Sequence, residues 1–196
     1  MRCSNLSRKT TETDIKVGLV IEGQGKGDVS TGIGFLDHML GIFARHGLFD
    51  LSVRATGDLE VDQHHLVEDL GICLGKAFNE ALGERRGINR AGYFVFPMDE
   101  ALSVVAVDIS GRPTLLFKAE FKRRMIGELD SDLLYDFFKG FADSLRASIA
   151  IRVLEGRNDH HKAESIFKAF AKAMRMACST DPKMIDEIPS TKGLIE

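Results

Sequence analysis

The chain has 196 residues, 44% of them hydrophobic, and a formal net charge of −3 from 26 basic and 29 acidic side chains. That is enough apolar content for a core, in one domain or two small ones, and the mildly acidic balance of interspersed signs argues against a general nucleic-acid binder. Cys3, Cys73 and Cys178 are odd in number, widely spaced and form no C-x-x-C pair, which suits a reducing cytoplasm; the polar start and the lack of a long apolar run predict neither a secretion signal nor a membrane span.

The first periodic segment, DIKVGLVIE at 14–22, alternates as a strand does, and the glycines of GQGKGD after it read as a hairpin turn into VSTGIG. They lack the helix start, and the Lys-Ser/Thr or third glycine in register, that a nucleotide loop requires. FLDHMLGIFARHGLF then puts Phe35, Met39, Ile42 and Phe43 on one face of a helix that ends at Gly47. His38 and His46, eight residues apart, fall on nearly the same side of it. A strand, LSVRATGD, leads to a helix that opens in QHHLVEDLG, runs to about Leu82 and breaks in GERRG.

The second half repeats this order. Strands GYFVFPMDEA and LSVVAVDIS, a turn at GRP and the segment TLLFKAEF precede a helix over SDLLYDFFKGFADSLRA, a strand SIAIRVLEG and a helix over NDHHKAESIFKAFAKAMRMA. Both helices that close a half open with H-H-x-x-E: His64, His65 and Glu68 in one, His160, His161 and Glu164 in the other. A duplicated unit of about 85 residues follows, with 1–88 as the first half-repeat, 89–180 as the second and 181–196 as an extended tail that docks on the body or on a neighbour. Each unit is strands, helix, strand, helix. The fold class is therefore α+β, two sheets packed against a helical layer, rather than a doubly wound parallel sheet.

On a helix, residues i and i+4 share a face while i+1 lies about 100° around, so His64 converges with Glu68 and His65 looks elsewhere. One motif thus offers ligands in two directions, and two motifs supply six, enough for two incomplete sites for Zn, Mn, Fe or Co. An isolated His-His pair is more ordinarily a surface or capping pair; duplication is what favours metal. Placing the motifs in register sets LYDFFKGFADSL beside LDHMLGIFARHGL, so Asp136 corresponds to His38 and is expected to complete the second site as His38 completes the first.

Together GFLDHML, ARHGLFDL, VDQHHLVEDLGICLG, SGRP, GRNDHHKAESIFKAF and PSTKG resemble the imidazoleglycerol-phosphate dehydratase family of histidine biosynthesis, from Arg8 to Gly193. The resemblance implies two Mn ions per active site, with other divalent ions as substitutes, and a shell of 24 subunits with sites at their boundaries. It puts His38, His64, His65, Glu68, His160, His161 and Glu164 on metal-ligand positions, and Asp136 where many members carry a further histidine ligand. Glu12, His46 and Lys168 fall on positions lining the reacting part of the substrate, where His38, His64, Glu68 and His160 also make contact. Arg90, Arg112, Ser190, Thr191 and Lys192 fall on the phosphate-binding positions. Ile42 stands where members carry a glutamine near the phosphate, and Ala150 where they commonly carry a histidine.

The implied reaction removes water from a small phosphorylated imidazole substrate, imidazole glycerol phosphate, to give imidazole acetol phosphate. The hydrogen lost is next to no carbonyl, so a site rich in metal ligands suits the substrate better than an organic cofactor does. Glu12 is the candidate acid/base for that carbon-bound proton and Lys168 the candidate to assist the leaving hydroxyl, although Lys168 four residues after Glu164 also makes an ordinary helix ion pair. His46 either caps its helix as a C-terminal cation or faces substrate. Asp99 and Glu100, with no histidine near them in sequence, read as structural. A dinuclear hydrolase of a small phosphorylated substrate and a metal-buffering oligomer are the competing readings; the second gives no role to Arg112 or to PSTKG.

Overall fold

Along 13–20 every second side chain (Thr13, Ile15, Val17, Leu19) is buried, and the same period recurs at Leu51, Val53 and Ala55, so these segments pleat with one face inward. The computed structural model describes residues 1–195. Its first half comprises β1 (Cys3–Lys9), β2 (Thr13–Val20), β3 (Gly27–Ser30), α1 (Gly34–Gly47), β4 (Asp50–Gly57) and α2 (His64–Leu82). The second comprises β5 (Ala91–Met98), β6 (Ala101–Asp108), β7 (Thr114–Lys118), the short pair β8 (Met125–Ile126) and β9 (Leu129–Asp130), α3 (Leu133–Leu145), β10 (Ser148–Glu155) and α4 (Asp159–Cys178). The strand orders β1-β2-β4-β3 and β5-β6-β10-β7 match, and in both sheets the last strand is the one parallel pairing.

One expectation needs correction. The glycines at 23–28 do not turn a hairpin: β3 skips β2 and pairs parallel with β4, a crossover that α1 completes. The polar start is itself a strand, since β1 is the exposed edge of its sheet, buries little beyond Ser4, and takes its register from seven pairings with β2. α1 ends at Gly47 as expected, and Leu48 after it takes the left-handed conformation at φ 57. Gly47 is small because an added Cβ would meet the Phe49 ring at 2.3 Å.

The helices lie between the sheets. α1 and α2 pack on the first sheet, α3 and α4 on the second, and the layers meet where α1 touches α4 and α2 touches α3. Each helix contributes one phenylalanine to a closed ring at this junction: Phe43 to Phe170 at 5.1 Å between centroids, Phe170 to Phe141 at 5.1 Å, Phe141 to Phe78 at 5.8 Å and Phe78 to Phe43 at 5.9 Å. Cutting any of the four to alanine removes about 3–5 kcal/mol of packing. α2 and α3 approach backbone to backbone, because Cβ atoms at Gly71 and Gly75 would stand 2.2 Å from the Phe137 oxygen and 2.5 Å from the Phe141 oxygen, and one at Gly140 would stand 2.9 Å from the Glu68 oxygen.

The tail docks on the body of its own chain. Gly87 exchanges backbone bonds with Glu187 and Asp181, Arg86 Nη1 donates to the Asp186 oxygen at 3.0 Å, and Gly87 sits at φ 67 with no room for a Cβ beside Ile185.

Candidate metal and substrate site

Both motif helices begin with the same cap. Asp62 Oδ1 accepts from the His64 N–H at 2.7 Å and Asn158 Oδ1 from the His160 N–H at 2.9 Å, each two residues before its first histidine. The start of α4 is anchored further by buried Asp159, which accepts from the Lys122 and Arg123 N–H groups and from Lys162 Nζ at 3.0 Å. A buried carboxylate so fully partnered fixes where the helix begins and therefore which way its histidines point.

From these starts the candidate donors come together at two crossings of helices. His38 of α1 joins His160 and Glu164 of α4, with one donor atom from each lying within 4.8 Å of the others; His160 Nε2 and Glu164 Oε2 are 3.3 Å apart. Asp136 of α3 and Glu68 of α2 flank His64 on its two sides, Asp136 Oδ2 3.7 Å from Nδ1 and Glu68 Oε2 3.8 Å from Nε2, so the two carboxylates face opposite ring nitrogens. Asp136 thus reaches the first-half motif as His38 reaches the second, each from the preceding helix of the other half.

His65 and His161 point elsewhere, as the helical spacing predicts. Their rings stand at 83° and 88° to those of His64 and His160. His65 Nδ1 faces the Asp58 carboxylate at 3.0 Å, with Glu12 Oε2 4.0 Å away. His161 Nδ1 faces Glu100 Oε2 at 2.7 Å, and its Nε2 is 3.6 Å from Asp99 Oδ2. Asp99 and Glu100, expected to be structural because no histidine is near them in sequence, are brought to His161 by the β5–β6 turn, Glu100 from 61 residues away. The His161 hydrogen bond, then those from the Asn158 N–H and its own backbone, hold the Glu100 carboxyl at about 2, and the same contact raises His161; Asp58 raises His65 likewise.

Lys168 Nζ lies 2.6 Å from Glu164 Oε1, so the i,i+4 pair forms and ties the lysine to the first ligand group. It also sits 3.1 Å from Met98 Sδ and over the Phe96 ring at 5.5 Å. Burial would push the Glu164 carboxyl up, but Lys168, with His160 and His38 behind it, pulls it below its ordinary value. His46 packs edge-on against the same Phe96 at 5.5 Å, and burial followed by Lys168 and Lys172 holds its pKa down. A depressed imidazole is a poor helix-capping cation, so His46 and Lys168 form one cluster against Phe96. Glu12, exposed in the β1–β2 turn, stands with His65 instead.

The anion-binding candidates gather in part. Arg90 donates to Asp108 at 2.7 and 3.1 Å and to the Pro189 oxygen at 3.0 Å, which sets the Ser190 turn beside it; the Lys192 N–H donates to Ser190 Oγ at 3.2 Å. Arg112 is joined to this end of the sheet through its backbone, which accepts from Ser148 Oγ at 3.0 Å, while its side chain is exposed, as are Thr191 and Lys192. Ile42 is buried in the core and Ala150 lies on the outer face of the second sheet.

Sequence reasoning also missed the β8–β9 hairpin. Its Glu128 caps α1 by accepting from the Gly34 N–H at 2.8 Å and takes Gln63 Nε2 on its backbone oxygen at 2.6 Å, so one turn braces the starts of α1 and α2. A cavity of about 370 Å³ lies between this hairpin and His160 and His161, with Arg123 and Met125 on its wall. The donor set is imidazole and carboxylate throughout. No thiol joins it, Cys73 and Cys178 being buried and pushed by burial to about 11 and about 12. Such a set fits a borderline or hard divalent ion.

The chain is similar to known proteins along its whole length. The family model described as imidazoleglycerol-phosphate dehydratase matches residues 31–174. The chain is 53% identical over 195 residues to the imidazoleglycerol-phosphate dehydratase of Koribacter versatilis (strain Ellin345), with 100% of each chain covered. Among solved structures it resembles the imidazoleglycerol-phosphate dehydratase of Staphylococcus aureus subsp. aureus N315 (TM-score 0.82, 34% identity, 91% of this chain and 99% of that one). It also resembles IGPD from Pyrococcus furiosus in complex with (S)-C348 (TM-score 0.83, 39% identity, 96% and 99%).

Proposed function

The chain belongs to the imidazoleglycerol-phosphate dehydratase family, a hydro-lyase of histidine biosynthesis, and we propose that it dehydrates imidazoleglycerol phosphate to imidazole acetol phosphate with two divalent metal ions, manganese foremost. The observation that carries this reading is the convergence of His38, His160 and Glu164, with Asp136 and Glu68 flanking His64 at the other motif and His65 and His161 turned away from both as further ligands. Bound ions supply Lewis-acid polarisation and orientation of the imidazole ring.

The remaining work falls to side chains. Glu12, exposed beside His65, exchanges the carbon-bound proton. Lys168, paired with Glu164, delivers a proton to the departing hydroxyl. His46, held neutral by burial and by its lysine neighbours, accepts a hydrogen bond from substrate or donates one through its N–H. Arg90, Arg112, Ser190, Thr191 and Lys192 bind the phosphate, for which guanidinium forks and a hydroxyl turn are the fitting donors.

One chain leaves Glu12 with His65 while His46 and Lys168 lie with Glu164, so a complete site draws on more than one subunit. The outer face of the second sheet supports such assembly. Across its four strands one row runs Tyr93–Ala106–Ala150–Leu116, whereas the matching face of the first sheet carries Asn5–Gly18–Ser52–Asp28. Tyr93 and Leu116 are 65% and 48% exposed in the single chain, an apolar surface that a closed oligomer of 24 subunits covers. Among the described residues no helix is long and apolar enough to cross a membrane.

The test is to strip the purified protein with chelator, supply imidazoleglycerol phosphate, and restore Mn²⁺. Mass spectrometry should then show loss of one water with phosphorus retained, only after metal is restored. Release of inorganic phosphate would favour the hydrolase reading, and turnover at full rate without metal would refute metal dependence.

A further inference from the structure

The second histidine of each motif meets a carboxylate through the same ring atom. His65 Nδ1 faces Asp58 at 3.0 and 3.2 Å, and His161 Nδ1 faces Glu100 at 2.7 Å. The two carboxylates occupy unmatched places. Asp58 directly follows β4, whereas Glu100 sits in the β5–β6 turn, whose counterpart in the first half is the β1–β2 turn that carries Glu12. A shared contact reached from unmatched positions is not inherited with the duplicated helix, so the contact itself is what the two halves have in common.

We infer that Asp58 and Glu100 are positioning residues, each holding its histidine with the proton on Nδ1 so that Nε2 presents a lone pair to metal. The inference rests on the proposed role of His65 and His161 as ligands. An ionised carboxylate can only accept, so the ring nitrogen opposite it must donate, and the other nitrogen of a neutral ring is then free of hydrogen. A partner of this kind also fixes ring orientation and raises the basicity of the coordinating nitrogen. Glu100 is itself held in place: its Oε1 accepts from the Arg157 N–H at 3.2 Å and the Asn158 N–H at 2.8 Å, which leaves Oε2 for the histidine.

That division of labour makes Glu100→Gln diagnostic. The amide oxygen keeps both backbone bonds, so the turn and the α4 cap persist, but the amide nitrogen now faces Nδ1 as a donor. His161 must then accept there and carry its proton on Nε2, the nitrogen meant for metal. Asp58 has no such backbone bonds and is tested with Asp58→Ala. Free Mn²⁺, counted by its solution EPR signal during titration of the metal-stripped protein, gives the number and affinity of sites without reference to turnover, and thermal unfolding without metal reports the fold. Glu100→Gln and Asp58→Ala should each weaken one class of Mn²⁺ site by about 10- to 100-fold, while Glu100→Gln leaves the metal-free unfolding temperature unchanged. His161→Ala should abolish the class that Glu100→Gln weakens. If His161→Ala binds both ions as the native protein does, the ligand reading fails and the inference with it. If His161→Ala loses a site but Glu100→Gln binds both ions with native affinity, or lowers the metal-free unfolding temperature as much as Glu100→Ala, the ligand reading stands and the positioning role is overturned.

Discussion

Replacing Gly71 by alanine should damage the Asp136 group from a distance, through the spacing of two helices. The new Cβ would lie 2.2 Å from the Phe137 oxygen and 3.0 Å from its carbonyl carbon, roughly 1 Å short of ordinary van der Waals contact. α3 has no slack to give, because Gly75 and Gly140 hold the same pair of helices equally close on the same seam. Overpacking of this kind costs about 1–3 kcal/mol, set against about 1 kcal/mol that alanine gains over glycine in a helix, so a net loss of up to about 2 kcal/mol is expected. The functional loss should exceed the stability loss. Asp136 directly precedes Phe137, and a displacement of about 1 Å at a reacting site can reduce rate about 100-fold. The control is Gly41→Ala on α1, where an added Cβ has nothing within 4 Å and stability should hold or rise. Thermal unfolding and kcat/KM of both variants, measured at saturating Mn²⁺, decide the matter. A Gly71→Ala protein with native stability and kcat/KM, or a Gly41→Ala protein equally impaired, would refute the claim that helix spacing sets the site.

Asp136→Ala should lose one of two metal equivalents per chain by elemental analysis while Asp136→His keeps both; full occupancy in Asp136→Ala would remove Asp136 from the ligand set. Arg112→Ala or Lys192→Ala should lower kcat/KM about 30-fold to a few thousandfold, the range for removing one partner of a desolvated charged pair, and unchanged kinetics would exclude that residue from phosphate binding. His46, depressed first by burial and then by Lys168 and Lys172, is neutral in folded and unfolded chains above pH 6.5; on acidification the unfolded chain takes the proton first, so this group's effect on stability is a loss as pH falls from 6.5 toward the folded value. Carbon NMR of selectively labelled histidines should therefore show His46 titrating below 6.5 and moving upward in Lys168→Met, and a native value at or above 6.5 would contradict the burial and lysine contacts seen here.

What could be read from the residues was what helical and strand periods encode locally. The four helices, the two faces of each H-H-x-x-E motif and the Lys168–Glu164 pair depend on separations of a few residues, and all are present; internal repetition sets Asp136 in register with His38, and Asp136 stands beside His64. The rest depends on contacts that no short window contains. β1 has too little burial to show alternation and becomes a strand by pairing with β2. The glycines at 23–28 carry turn chemistry, but which strand the chain turns toward is settled by the parallel place left open beside β4. Glu100 meets His161 because a two-residue turn projects it over the start of α4, and Glu128 reaches α1 from a hairpin that the first half lacks. The crossing of His38 to α4 and of Asp136 to α2 follows from the close α2–α3 seam and the ring of four phenylalanines, both products of the assembled core.

The most direct test is a map of anomalous scattering at the manganese edge, from crystals grown with Mn²⁺ and a non-reactive imidazole phosphate. Two peaks per chain are expected, one bound by His38, His160 and Glu164 and the other by Asp136, His64 and Glu68, at about 2.0–2.2 Å from the ligand atoms, with the imidazole beside them and the phosphate at Arg90, Arg112 and Lys192. Absence of both peaks, or manganese lying away from both groups while the imidazole phosphate occupies the site, would contradict metal-dependent dehydration by this protein.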